Sequence, residues 1–405
     1  MSPLERADLI GGEPGDAAGD ATAAAIAAAL ASAAVEGEDV EARDARLMGL
    51  AVALARAATG ATYPNPCVGA IVVRGERVVG AGHSAPTGGP HAEVSALKMA
   101  GEAARGATIY VTLEPCSHHG RTPPCTGALI AAGVAEVVVG VRDPATHAAG
   151  RGLDLLRAAG LRVREGVLAG ACASTHEHYL HHEATRLPFV TLKVAASLDG
   201  RIAAGSGDSK WITGEPARRV GHWLRARHHA IAVGVDTLLR DDPELSVRLV
   251  AGVDPVPVVF DSGLRSAAAA RRPRLLRSGT IVLHTTRATE AARRTIDELG
   301  ATRLEIDGDC DGRVDVAAAL RALGALPVRS LLVEGGGHLI ASFVAAAAWR
   351  RWYWFHAPIV LGEGRPAAPG LRVATVAEAP RLVPLLRAEV GVDGLTVLGP
   401  GERQS

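Results

Sequence analysis

Charge of one sign is the first thing this chain lacks. Its 43 Lys and Arg residues are matched by 43 Asp and Glu over 405 residues. No long basic run occurs, and aromatic residues are only 3% of the chain. A nucleic-acid surface needs clustered Lys and Arg, and a single-strand groove adds a stripe of stacking aromatics. Both are missing, so nucleic acid is not expected as a partner. Cysteine is sparse as well: five residues, an odd number, with no spacing that suggests a disulfide framework. A reducing cytoplasm is the expected home. The apolar run Ala21–Val35 is about 15 residues, short of the ~20 a membrane helix requires. It is flanked by Asp20 and Glu36, and no basic segment beyond Arg6 precedes it, so neither a signal peptide nor a membrane anchor is expected.

What is present is a chain with 48% hydrophobic residues, enough for sizeable cores, and a length that suggests two or three domains. Residues 1–40 are Ala-rich and low in complexity, and read as a tail. The stretch His91 to Cys125 carries the chemistry. It contains His91-Ala92-Glu93, then Glu114-Pro115-Cys116, then Cys125; 24 residues separate His91 from Cys116 and eight separate the two cysteines. Zinc takes imidazole nitrogen and thiolate, and a catalytic site uses three protein ligands and one water. His91, Cys116 and Cys125 are the candidate ligands. Zinc lowers the pKa of its water to roughly 7, so hydroxide is available at neutral pH. Glu93, two residues from a ligand and not needed as one, is the candidate catalytic acid/base. H-x-E followed by P-C and a second Cys is the pattern of the zinc nucleobase deaminases, whose common form has two residues between the cysteines. The rival within this stretch is a closed structural zinc site with His118 or His119 as fourth ligand.

From Asp44, Leu47, Leu50, Ala51 and Leu54 repeat at helical spacing, and Gly60 and Pro64 are expected to end that helix. Val68–Val73 and Arg77–Val79 around Arg74-Gly75 predict a hairpin. A helix over His91–Ala100, a strand over Thr108–Leu113, a helix opened by Cys125 and a strand over Val137–Val141 complete a three-layer α/β deaminase-like domain. A helix between Gly150 and Gly160 and a strand at Leu161–Arg164 follow. His178 and His182 are four apart and could grip a metal from one helical face. No carboxylate or thiolate motif completes such a site, so a polar connector helix is the better reading. Beyond Pro188 a second α/β domain is expected. Its strands are Phe189–Ala196, Ala230–Val235, Val256–Asp261, Thr280–His284, Val328–Val333 and Trp352–Phe355. Its helices are Glu215–Arg227, Thr289–Leu299, Val314–Leu323 and Leu339–Ala348. Within it, Leu331-Leu332-Val333-Glu334 runs into Gly335-Gly336-Gly337, a strand-to-helix turn whose amides suit phosphate. It is not the G-x-G-x-x-G pattern.

With both halves read, residues 42–400 resemble the bifunctional riboflavin-biosynthesis deaminase/reductases of bacteria. The words that carry the resemblance are TYPNPCVGAIVV, HAEVSAL, VTLEPCSHHGRTPPC and AGRG in the first half. In the second they are LKVAASLDGRIA, SKWITG, GVDTLLRDDPELSVR and LLVEGGG. Beyond the tail over 1–40, the resemblance implies a zinc-dependent pyrimidine deaminase domain of cytidine-deaminase-like fold over 41–186, and an NADPH-dependent, dihydrofolate-reductase-like domain over 187–405. It implies removal of the 2-amino group of 2,5-diamino-6-(5-phosphoribosylamino)pyrimidin-4-one, then reduction of the ribosyl side chain to ribityl. By position, His91, Cys116 and Cys125 match the zinc ligands and Glu93 the acid/base. Asn65, His118, Arg121 and Asp143 match deaminase-substrate positions. Ala195, Trp211, Thr237, Asp241, Ser262, Gly336 and Gly337 match NADPH positions, and Lys193, Ser209, Arg225, Leu245, Arg248 and Glu334 match reductase-substrate positions. Arg225 and Arg248 also suit a phosphorylated substrate, because guanidinium binds phosphate oxygens bidentately. A homo-oligomer is expected. Cys67 departs from the Asn many members have there, and Ala145 from Asn or Asp. One alternative is therefore a chain with only one working half; another is a nucleic-acid-editing deaminase, against which the balanced charge counts.

Overall fold

The computed structural model describes residues 38–120, 122–145 and 148–401. Arg121 and nearly all of the expected tail lie outside the described residues. The chain divides into two compact units: one extends to Thr185 and takes in Val250–Val253, and the other comprises Arg186–Leu249 and the residues from Asp254 on.

The first unit opens with α1 (Val40–Ala57), whose N-cap Asp39 accepts from the Ala42 amide at 2.7 Å. The helix thus begins inside the stretch read as tail and ends before Gly60. Then come β1 (Gly69–Arg74), β2 (Arg77–His83), α2 (Ala92–Ala100), β3 (Thr108–Leu113), α3 (Cys125–Ala132), β4 (Glu136–Val141), α4 (Arg151–Ala158), β5 (Arg162–Glu165), α5 (Ala169–Thr175) and α6 (Glu177–Thr185). The strands form one sheet in the order β2-β1-β3-β4-β5, with β1 antiparallel to both neighbours and β3, β4 and β5 parallel. Alternation along the strands divides the core in two. Ala70, Val72, Ile109, Val111, Val137 and Val139 pack with Ala92 and Ala96 of α2, Leu129 of α3 and Leu153 of α4. Ile71, Val73, Tyr110 and Val138 pack with Leu47 and Met48 of α1 and Cys172 of α5. The sheet is covered on both faces, which is why its strands read as unbroken apolar runs. Glycine brings α2 down onto β2: a Cβ on Gly80 would lie 2.2 Å from the Ala96 carbonyl oxygen, and one on Gly82 2.6 Å from that of Ala92. Anything larger would lift the helix that carries Glu93.

The second unit contains β6 (Phe189–Ser197), β7 (Arg201–Ala203), α7 (Glu215–Ala226), β8 (Ala230–Gly234), α8 (Val235–Asp241), β9 (Val256–Phe260), β10 (Ile281–His284), α9 (Glu290–Glu298), β11 (Thr302–Glu305), α10 (Val316–Ala325), β12 (Ser330–Glu334), α11 (Gly337–Ala345), β13 (Arg351–Ala357), β14 (Arg365–Pro366), β15 (Leu382–Val390) and β16 (Asp393–Pro400). Nine strands form one sheet, ordered β11-β10-β9-β8-β12-β6-β13-β16-β15. It is parallel from β11 to β13, and β16 and β15 are added antiparallel. Leu192, Val194, Leu331 and Val333 of the central strands pack with Leu320 and Leu323 of α10 and Ile340 and Phe343 of α11.

The main difference from the sequence reading is the His-rich segment. The expected polar connector consists of α5 and α6, and His176 and His182 within it are buried. His176 Nε2 lies 3.0 Å from Thr112 Oγ1, and burial pushes its imidazole down to about 4, so it is a neutral core histidine. The β11 strand, α8 and the β15–β16 hairpin were not foreseen. Strand β15 has no regular alternation of buried and exposed residues and carries Pro384, as an edge strand can. Strand β16 alternates cleanly, and Leu395 and Val397 were a usable signal.

Candidate active sites

In the first unit the E-P-C segment is built as an anchor. Glu114, at the end of β3, is buried and accepts from the amides of Asp143 (3.2 Å), Gly150 (3.1 Å) and Gly152 (3.0 Å). A Cβ on Gly152 would lie 2.2 Å from the Pro115 carbonyl oxygen, so α4 starts directly against Pro115. These contacts hold the loop that delivers Cys116. Cys125 is the first residue of α3 and fully buried, and its amide donates to Cys116 Sγ at 3.3 Å. His91 is the N-cap of α2. Its Nδ1 lies 3.2 Å from Cys125 Sγ and 3.5 Å from Cys116 Sγ, and one donor atom from each of the three residues falls within 4.8 Å of the others. No other such group of His, Cys, Asp and Glu occurs among the described residues. His118 and His119 are exposed and outside it. Three converging soft and borderline donors fit zinc with one position left over, as in a catalytic rather than a closed site. Thr122, which the sequence reading did not single out, places Oγ1 3.3 Å from His91 Nε2. With Nε2–H donated to Thr122, Nδ1 would be free to ligate a metal held between it and the two sulfurs.

Glu93 lies in the first turn of α2 and is 3% exposed. Burial and the neighbouring Cys116 thiolate push its carboxyl up to about 7. The Cys116 thiol is drawn down to about 4, first by its hydrogen bond with Cys125 and then by His91. Of the expected substrate residues, Asn65 and His118 are exposed, whereas Asp143 is buried. Asp143 accepts from the Ala145 amide at 2.9 Å and from the Tyr179 hydroxyl at 2.9 and 3.1 Å. Cys67 and Ala145 are buried. His178 is hydrogen-bonded to Tyr63 at 2.8 Å.

In the second unit, strands far apart in sequence bring charges together. Glu334 ends β12 and Lys193 lies across from it in the β12–β6 register. Arg225 of α7 grips Glu334 bidentately, Nε to Oε1 at 3.0 Å and Nη2 to Oε2 at 2.7 Å, and its Nη1 donates to the Ser246 carbonyl at 3.0 Å. Burial alone would raise the Glu334 carboxyl, but Arg225 and Lys193 hold it down at about 2. Burial also lowers the Lys193 ammonium, against the pull of Glu334. His222, another residue the sequence reading passed over, accepts from the Arg248 amide at 3.0 Å. The exposed Arg248 side chain reaches Glu244 at 2.9 Å and Ser246 at 2.8 Å, and Leu245 is buried with φ at 55°. Gly335 and Gly336 have φ of 82° and 76°, and a Cβ on Gly336 would stand 3.3 Å from Thr237 Oγ1. The turn runs straight into the start of α11, whose first-turn amides have no carbonyl partner within the helix, a fit for a dinucleotide phosphate. Gly337 points the other way, its Cβ direction filled by Pro369 at 2.5 Å. Trp211 is 70% exposed, with the Arg218 guanidinium 4.6 Å from its ring centre. Asp241 ends α8, Ala195 and Ser209 are half-buried, and Ser262 Oγ accepts from the Val314 amide at 3.0 Å.

This combination of sheet, three-donor centre and buried glutamate defines a zinc-dependent deaminase, joined to a second α/β unit. The model of the cytidine and deoxycytidylate deaminase zinc-binding region matches residues 41–141, and that of the RibD C-terminal domain matches residues 188–389. The riboflavin biosynthesis protein RibD of Aquifex aeolicus is 41% identical over 322 residues, 79% of this chain and 88% of its own length. That of Escherichia coli is 38% identical over 358 residues, covering 84% and 94%. The solved structure of Acinetobacter baumannii RibD aligns with TM-score 0.81 at 34% identity, covering 89% of this chain and all of that one. The Thermotoga maritima diaminohydroxyphosphoribosylaminopyrimidine deaminase/5-amino-6-(5-phosphoribosylamino)uracil reductase aligns at 0.79 with 32% identity, covering 90% and 100%. The chain belongs to the RibD family. It is a bifunctional enzyme of riboflavin biosynthesis, a zinc deaminase and an NADPH-dependent reductase in one polypeptide. Among the described residues no helix is long and apolar enough to cross a membrane.

Proposed function

We propose that the first unit deaminates 2,5-diamino-6-(5-phosphoribosylamino)pyrimidin-4-one and the second reduces the ribosyl side chain of the product to ribityl. The observation that carries the first half is the buried Glu93 beside the His91–Cys116–Cys125 group. Zinc held there supplies the Lewis acidity that brings a water within reach of deprotonation at neutral pH. Glu93, poised at about 7, takes the proton from that water and delivers it to the departing amine. The water oxygen adds to the amidine carbon, the carbon–nitrogen bond breaks, and ammonia leaves. By the resemblance, Asn65, His118 and Arg121 are assigned to the ring and its phosphate, and Asp143, which closes its own turn onto the Ala145 amide, to the same substrate.

In the second unit NADPH supplies hydride when bound, with Ala195, Trp211, Thr237, Asp241, Ser262 and the Gly335–Gly337 turn around it. Lys193 and Glu334 face the reacting part of the substrate, along with Ser209 and Leu245. Arg225, already paired with Glu334, serves to hold that carboxylate, which leaves Arg248 as the guanidinium for the substrate phosphate. The two activities reside in separable halves divided near Pro188, in a cytoplasmic homo-oligomer. Purified protein is incubated with the diaminopyrimidine, with and without NADPH, following ammonia release and NADPH oxidation separately. Ammonia without NADPH, and NADPH oxidation only once ammonia has been released, is the expected result. NADPH oxidation with no ammonia released would leave one working half and overturn the proposal.

A further inference from the structure

The helix α6 was expected to be a connector, yet two adjacent residues on it hold two separate loops of the deaminase unit. His178 shares a 2.8 Å hydrogen bond between its Nδ1 and the Tyr63 hydroxyl. The two rings are stacked, with centres 6.5 Å apart. Tyr63 begins the turn that carries Asn65, a turn closed on itself by the Asn65 amide to the Thr62 carbonyl at 2.9 Å and by Thr62 Oγ1 to the Asn65 carbonyl at 3.0 Å. Tyr179 donates its hydroxyl across both oxygens of the buried Asp143 carboxylate. Asp143 in turn closes the 143–145 turn through the Ala145 amide, and its own amide is held by Glu114. Tyr179 and Leu180 pack on the core that also contains Ala92, Ala96 and Leu129, so the helix is fixed on the same side of the sheet as α2 and α3. A helix anchored on that core therefore ties down two loops far apart in sequence. Cys67 and Ala145 stand next to or within these two loops.

We propose that α6 is the positioning element of the deaminase site, with His178 and Tyr179 fixing the loops that carry Asn65 and Asp143. This rests on the reading that those loops border the substrate. Ordered loops hold substrate groups without further loss of freedom on binding, so losing the clamp shows mainly in KM. The test uses the full-length zinc-loaded enzyme with Tyr179→Phe, His178→Leu and His178→Gln, the last keeping an amide that can still meet Tyr63. In Tyr179→Phe and His178→Leu the deaminase KM should rise about fivefold, the worth of one buried hydrogen bond. Zinc content, deaminase kcat within about a factor of two, and reduction of pre-deaminated substrate should be kept. His178→Gln should recover most of the loss. Amide exchange should quicken around Tyr63 and Asn65 in His178→Leu and around Asp143 to Ala145 in Tyr179→Phe. Unchanged KM and exchange would overturn the proposal, as would zinc and kcat falling together, which would mean the bonds support the metal centre. If exchange responds but KM does not in an active enzyme, the clamp exists but the loops do not border the substrate, and the reading of Asn65 and Asp143 is what fails. A wild-type enzyme that releases no ammonia removes both.

Discussion

Two buried glutamates, one in each half, have opposite fates. Glu93 sits among sulfur, imidazole and apolar groups, and burial with the Cys116 thiolate raises its carboxyl to about 7. Glu334 is as deeply buried, but Arg225 grips both its oxygens and Lys193 adds a second positive charge, so it stays near 2. Desolvation acts alike on both; among the protein's own groups, the Cys116 thiolate beside Glu93 adds to it, whereas the Arg225 and Lys193 cations beside Glu334 outweigh it. The difference matches the work. A carboxyl that titrates near neutrality can carry a proton in each turnover. A carboxylate locked to arginine is a fixed negative charge that orients and balances what surrounds it.

The largest effect should come from the metal centre. Cys116→Ser and Cys125→Ser should abolish both zinc binding and ammonia release, with reduction of pre-deaminated substrate retained; metal analysis beside the two assays checks it. Chelation of the wild type should give the same split. Full deaminase activity without metal would break the contrast between the halves. Next, Glu93→Gln should keep zinc but slow deamination by about 10²–10⁴, the usual worth of a general acid–base group. A loss of only a few-fold would mean that protons move by another route.

Arg225→Leu should destabilise the reductase half by about 3–5 kcal/mol, because it leaves the buried Glu334 charge unpaired. Denaturant unfolding measures this, and an additional Glu334→Gln should recover part of it. The sign of the pH dependence follows. The Glu334 value in the folded chain lies below its ordinary 4.5, so its contribution is present above pH 4.5 and fades as pH falls toward about 2. Arg225→Leu should flatten that acid limb; an unaltered limb would assign the titration to other groups. The smallest effect is expected of Thr122→Val, which removes the partner of His91 Nε2. It should weaken zinc about 10–100-fold, as loss of an outer-shell partner does, read by competition with a chelator.

The deaminase centre was legible because zinc chemistry demands particular residue types, and two of its ligands stand at helix starts that the sequence marks with Pro90 and Pro124. Its strands were legible because both faces are covered and the apolar runs are unbroken. Elsewhere the signal was ambiguous. Glu114 read as one letter of a motif, and its three backbone amides came from a segment the sequence could not place beside it. His176, His178 and Tyr179 read as polar surface, because hydrogen bonds to Thr112, Tyr63 and Asp143 leave no periodicity. In the reductase half the Arg225 fork is engaged by a glutamate more than a hundred residues away, a pairing that no local pattern signals.

Residue identities and spacings alone were enough for the candidate donor set for zinc, the glutamate beside it, the α/β class of both halves and the resemblance that named two reactions. These depend on residue identity and short spacing, which chain connectivity preserves. Tertiary structure decided which buried glutamate is gripped by an arginine and which lies beside the sulfur–imidazole group, which histidines belong to the core, and which helix is hydrogen-bonded to the turns of Tyr63 and Asp143. Each depends on what packs against a group across the sheet, and burial and charge pairing are properties of neighbours in space.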